Sequence, residues 1–234
     1  MSNEKLLGGF PVYASGQASA PRAVIVIQEA FGVNDHIRSV TDRFADAGYF
    51  AIAPQMFHRD GSPEIPYDDI ASAMPLMANL NRQGITNDLD ATTDFLATLG
   101  FRAPNIAIVG YCMGGTVSFF AATLGTVGVA ATFYGGGLDT GRFGFPSLIE
   151  LAPTIKCPWI GLYGDLDQGI PVESVEILRT AVTASSFVTD IVRYEDGHHG
   201  FHCDARPAVY DEAAAIDANR RTLAFFANHL IDKD

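Results

Sequence analysis

The sequence is poor in cysteine, in basic residues and in long apolar runs. Its 234 residues hold three cysteines, Cys112, Cys157 and Cys203. An odd number, two of them in apolar or strand-like contexts, argues against a disulfide framework. It fits a reducing compartment, so a cytoplasmic location is expected. Lys and Arg total 15 against 27 Asp and Glu, a net charge of −12. That field repels DNA, RNA and anionic lipid, so no nucleic acid and no membrane is an expected partner. It does not forbid an anionic small molecule, because a local basic pocket overrides the global field. No stretch reaches the roughly 18 apolar residues of a membrane span. The opening MSNEKLLGGF has no apolar core of a signal peptide. Without repeats, low-complexity tracts or linkers, the reading is one domain over 1–234.

What is present is a globular composition, 48% apolar and 18% charged. AVIVIQ (23–28) and YFAIAP (49–54) are continuous apolar runs, the pattern of strands buried on both faces. Between them, Ile37, Val40, Phe44 and Ala47 share one helical face, and Gly48 stops the helix. Residues 55–84 hold Pro63, Pro66 and Pro75 and read as an irregular excursion with a short helix. An amphipathic helix follows over 85–100. Strands are expected at 105–110, 129–134, 158–163 and 188–194. Helices are expected from about 114, over about 172–183 and over about 207–230. Alternation of this kind implies an α/β fold, a mostly parallel central sheet with helices on both faces. Ligands of such sheets lie beyond the carboxyl ends of the strands.

Chemistry-bearing residues stand at those positions. VGYCMGGT (109–116) is a G-x-nucleophile-x-G turn with Cys112 where serine is usual. The following helix N-terminus favours a thiolate and offers an N–H to an oxyanion. A buried, inert thiol in a tight turn is the competing reading. GDLDQGIP offers Asp165 and Asp167, either as an acid orienting a histidine or as a turn residue. EDGHHGFHCD offers His198, His199 and His202. The order nucleophile, acid, base, each after its own strand, is far more specific than any one residue. A metal site from His198, His199, His202, Cys203 and Asp204 is a weaker alternative, since all the ligands would come from one short loop. Glu29, at the end of the first apolar run, is a carboxylate where isolated charge is costly. It reads either as a partner of the thiol or as a structural acid.

QEAFGVN (28–34), GYCMGG (110–115), DQGIP (167–171) and HGF (199–201) together resemble the dienelactone hydrolase family. The resemblance runs over roughly 22–230. It implies an α/β-hydrolase fold and hydrolysis of a small ester or lactone through a Cys-His-Asp triad and a thioester. Cys112 would be the nucleophile, His199 the general acid and base, and Asp167 its orienting acid. Ala30 and Met113 N–H groups would hold the oxyanion, and Glu29 would help form the thiolate. Phe31, Tyr134 and Arg59 complete the candidate set as substrate-binding residues. No cofactor and no metal is expected, and a monomer or small homo-oligomer is. Two departures stand out. Family members bind a substrate carboxylate with two arginines, but Cys203 occupies one of those positions. The other falls in Asp60 to Asn81, which has no arginine or lysine. Arg59, Arg82 and Arg206 are the candidate replacements, and a small ester or lactone other than dienelactone is the expected substrate. The alternatives are a hydrolase of another acyl substrate or a non-catalytic, regulatory module on the same fold.

Overall fold

The computed structural model describes residues 9–233; the segment read above as lacking a leader lies largely outside them. Seven strands form one sheet in the order β1-β3-β2-β4-β5-β6-β7. They are β1 (Val12–Ser15), β2 (Arg22–Ile27), β3 (Tyr49–Pro54), β4 (Ile106–Tyr111), β5 (Val129–Phe133), β6 (Trp159–Gly164) and β7 (Thr189–Tyr194). Only the β1–β3 pair is antiparallel. β1 is the strand the sequence reading missed. VYAS is too short to show alternation and sits on the sheet edge.

Seven α-helices connect or follow the strands: α1 (Asp35–Asp46), α2 (Ile70–Asn79), α3 (Arg82–Thr98), α4 (Met113–Ala122), α5 (Leu148–Leu151), α6 (Val172–Val182) and α7 (Glu212–His229). From β2 the chain steps one way to β3, then across to β4, β5, β6 and β7. Right-handed crossovers therefore put α1 on one face and α3, α4 and α6 on the other. α7 returns to the α1 face, where Phe226 stacks on Phe44 at 6.1 Å between ring centroids. Expected boundaries and observed ones differ most at α7, which starts at Glu212 rather than near 207. There Asp211 accepts from the Ala214 N–H and caps the helix.

The core runs along β2, β4, β5 and β6, whose residues are almost all inaccessible. The one tryptophan of the chain, Trp159, is fully buried in β6. It donates to Thr132 Oγ1 at 2.9 Å and packs edge-on against Phe119.

α2 is different. It buries only Ala73 against the body, while Ile70 and Met74 are about half exposed. No described helix is long and apolar enough to cross a membrane.

Candidate active site

The strand ends converge as parallel-sheet geometry requires. β4 ends at Tyr111 and α4 begins at Met113, leaving Cys112 alone in the turn. Its backbone sits at φ 56°, ψ −116°, a left-handed region that a non-glycine residue enters at a cost of roughly 1–3 kcal/mol. Close packing enforces that conformation. A Cβ on Gly114 would lie 2.5 Å from the Ile27 and Gln28 carbonyl oxygens. One on Gly115 would lie 2.7 Å from Phe133 O, and one on Gly110 would collide with Gly114 O. Only glycine lets α4 press this hard onto β2 and β5. The result is a partly exposed sulfur at the mouth of a helix N-terminus. As the first residue of α4, Met113 has an N–H with no intrahelical acceptor. Cys112 is also the only one of the three free thiols that is not buried; burial pushes Cys157 up to about 12.

The loop after β6 brings Asp167 under the loop after β7. His199 Nδ1 and Asp167 Oδ2 are 2.6 Å apart, and Asp167 Oδ1 accepts from the Gly169 N–H at 2.8 Å. Asp167 is buried. Asp165 goes elsewhere: Arg193 grips both its oxygens at 2.7 and 2.6 Å. Burial alone would lower the pKa of His199. The charge of Cys112, the Asp167 hydrogen bond and a hydrogen bond to Cys112 outweigh it and raise the value to about 10. Nδ1 is engaged with Asp167, so Nε2 is the nitrogen left for the sulfur.

The three loop histidines separate. His198 and His199 line the pocket. His202 is buried between Tyr111, Phe133 and His36, and burial first, then Arg43 and His36, depress its pKa. Among the described residues no group of three or more His, Cys, Asp or Glu is placed to hold a metal ion.

Glu29, just past the end of β2, is inaccessible to solvent. Its carboxylate accepts from Tyr134 Oη at 3.1 Å and Tyr67 Oη at 3.3 Å. This charge is therefore paid for by two phenols rather than by a cation. Cys203 stands near it, and burial followed by the Glu29 charge pushes that thiol up to about 12.

A pocket of about 450 Å³ opens over the sulfur. Cys112, His199, Asp167, Glu29, Ala30 and Phe31 all line it. Two of the candidate substrate-binding residues stand apart from this lining. Tyr134 is fully buried and does not line the pocket; its hydroxyl goes to Glu29, and its ring packs edge-on to His199 at 5.2 Å. Arg59 is engaged by Asp88, a carboxylate on the buried side of α3. The guanidinium clasps its two oxygens at 2.8 and 2.7 Å, and His58 adds a third contact. Arg82 instead lies over the Phe120 ring. Arg206 does line the pocket, its guanidinium 5.7 Å from the Phe31 and Tyr67 ring centroids.

Arg142 also lines it and was missed. The available signal was an arginine in the glycine-rich loop after the 129–134 strand, where ligand-binding residues of such sheets gather. That loop makes room for it: a Cβ on Gly136 would sit 3.0 Å from the Arg142 guanidinium.

Comparison with known proteins agrees with the geometry. Residues 10–230 match the model of the dienelactone hydrolase family. A protein of Salmonella typhimurium strain LT2 named "Putative carboxymethylenebutenolidase" is 36% identical over 222 residues, covering 93% of this chain and 82% of the relative. The carboxymethylenebutenolidase of Pseudomonas putida is 29% identical, over 93% of this chain and 91% of its own. A crystal structure from Klebsiella pneumoniae described as a "Putative Dienelactone Hydrolase" superposes with a TM-score of 0.84 at 33% identity, covering 94% of each chain.

Proposed function

The chain belongs to the dienelactone hydrolase family of α/β-hydrolase fold, and from that premise we propose that it hydrolyses a small ester or lactone through Cys112, His199 and Asp167. The observation that carries this is the His199–Asp167 contact of 2.6 Å beside a strained, partly exposed Cys112. The Cys112 thiolate attacks the carbonyl carbon, and the C=O electrons move onto oxygen. The N–H groups of Ala30 and Met113 hold that oxyanion. Collapse expels the alkoxide, which takes the Nε2 proton of His199 and leaves a thioester on Cys112. His199, now neutral, draws a proton from water. The hydroxyl adds to the thioester, and the thiolate departs with the imidazolium restored. Asp167 fixes the tautomer throughout.

Glu29 lines the same pocket as Cys112, and the resemblance assigns it the part of helping the thiolate form when substrate arrives. Arg142 and Arg206 bring two guanidinium groups to the pocket, whose lining also holds the carboxylates of Glu29 and Asp167. The two arginines support a substrate that carries a carboxylate, in place of the two family arginines this chain lacks.

The test is covalent. Brief exposure to 4-nitrophenyl acetate is expected to add one acetyl group to the peptide containing Cys112, detected by mass spectrometry. Hydrolysis with no adduct and an undiminished rate in Cys112→Ala would sink the thioester route.

A further inference from the structure

The pocket over Cys112 shares part of its lining with a neighbour. Met77 and Arg142 line both it and a second cavity of about 580 Å³. The second cavity is bounded by Met74, Met77, Ala78 and Leu80 on one side and by Phe143 and Gly144 on the other. Its walls are mostly apolar, and the Arg142 side chain adds methylenes to them, since long cationic side chains cover apolar surface with their stems.

α2 is the feature that needs an explanation. Its sequence IASAMPLMAN is apolar nearly all round, yet it buries only Ala73, against Ala30 and Phe31 of the oxyanion loop. Ile70 is 49% exposed, Met74 55%, and Leu166 across the pocket 45%. Scattered exposed apolar residues are ordinary. Here Ile70 and Leu166 rim the catalytic pocket, and Met74 lines its extension. Methionine is also the side chain that best adapts to variable apolar shapes.

We propose that the second cavity is a substrate subsite for an apolar chain, so that the preferred esters carry an acyl part continuing past Arg142 along the Met74–Leu80 side of α2. This rests on the Cys112 reading for where the acyl carbon sits. That the two cavities adjoin, with Met77 and Arg142 in both linings, argues for substrate as the occupant rather than a second copy of the chain.

Two measurements separate the subsite from the chemistry. Calorimetric binding of octanoate, below its micelle concentration, is read against acetate and needs no turnover. Octanoate is expected to bind roughly 30-fold tighter or more, given the apolar area six added methylenes bury. kcat/KM for 4-nitrophenyl octanoate is expected to exceed that for the acetate by a similar factor. Met74→Asp and, independently, Ala78→Asp should each cut both ratios about tenfold; both positions are exposed. Octanoate binding no tighter than acetate overturns the subsite, whether or not any ester is cleaved. So does a dimer that Met74→Asp dissolves without any octanoate preference, which would assign the face to a second copy. Failure to cleave either ester, with octanoate still preferred, strikes the catalytic reading alone.

Discussion

At the carboxyl ends of β2 and β4 there is no room for a single added Cβ. Along α2, far from either in sequence, side chains stand half in solvent. Both regions border the same pocket. The first fixes the sulfur and the backbone N–H groups of Ala30 and Met113, whose geometry on the proposed mechanism has to hold within fractions of an ångström. The second touches the body chiefly through Ala73 and offers Ile70, Met74 and Met77 as a deformable wall. The lesson is that one pocket can be rigid where bonds break and soft where shape is read.

Four experiments break or sharpen that contrast. The largest effect is expected at the reacting atoms. Cys112→Ala and His199→Ala should each lower kcat/KM roughly 10³-fold or more, about 4 kcal/mol at the barrier, with little change in melting temperature. A loss of activity matched by unfolding would deny that the two roles separate. Next comes Gly114→Ala. Its Cβ must push two backbone carbonyls of the β2 end, so a loss of about 3 kcal/mol in denaturant unfolding is expected. A neutral result would show the elbow to be as yielding as α2.

Asp167→Asn should cost roughly 100-fold in kcat and move a pH limb. On the proposed mechanism His199 must carry a proton to give to the leaving oxygen. Burial works against that proton, but the Cys112 charge and the Asp167 hydrogen bond keep it up to about pH 10. Activity should therefore fall as pH rises through about 10 in the parent chain. The limb should lie lower in the variant, because a raising influence is gone. A limb that stays put would assign it to another group. The smallest effect is Ile70→Ser. At 49% exposure it should alter unfolding free energy by less than about 0.5 kcal/mol. A large loss would mean that α2 is part of the rigid frame.

The same contrast explains what was readable in the sequence. The buried strands declare themselves because both faces are apolar, so Tyr49–Pro54 was placed to the residue. The elbow was readable because its G-x-nucleophile-x-G pattern is local, although the contacts that force Gly114 and Gly115 come from the ends of β2 and β5. Glu29, Ala30, Asp167 and His199 came out of strand order and the resemblance, and their placement around Cys112 is what the pocket presents. Arg59 and Arg142 were not readable. Whether an arginine faces a ligand depends on what else claims it. Asp88, thirty residues away, claims one, while Gly136 and Gly137 clear a bed for the other. Tyr134 depends on the fold in the same way, since its hydroxyl is bound to the buried Glu29.

The position of Trp159 has a practical reach. The chain's single indole is sealed in β6, bonded to Thr132 and absent from the pocket lining. Its emission should be that of a dry, immobile chromophore. It should report loss of the sheet as one clean signal and stay almost blind to whatever occupies the cleft. Folding and occupancy can then be followed in the same cuvette without one contaminating the other.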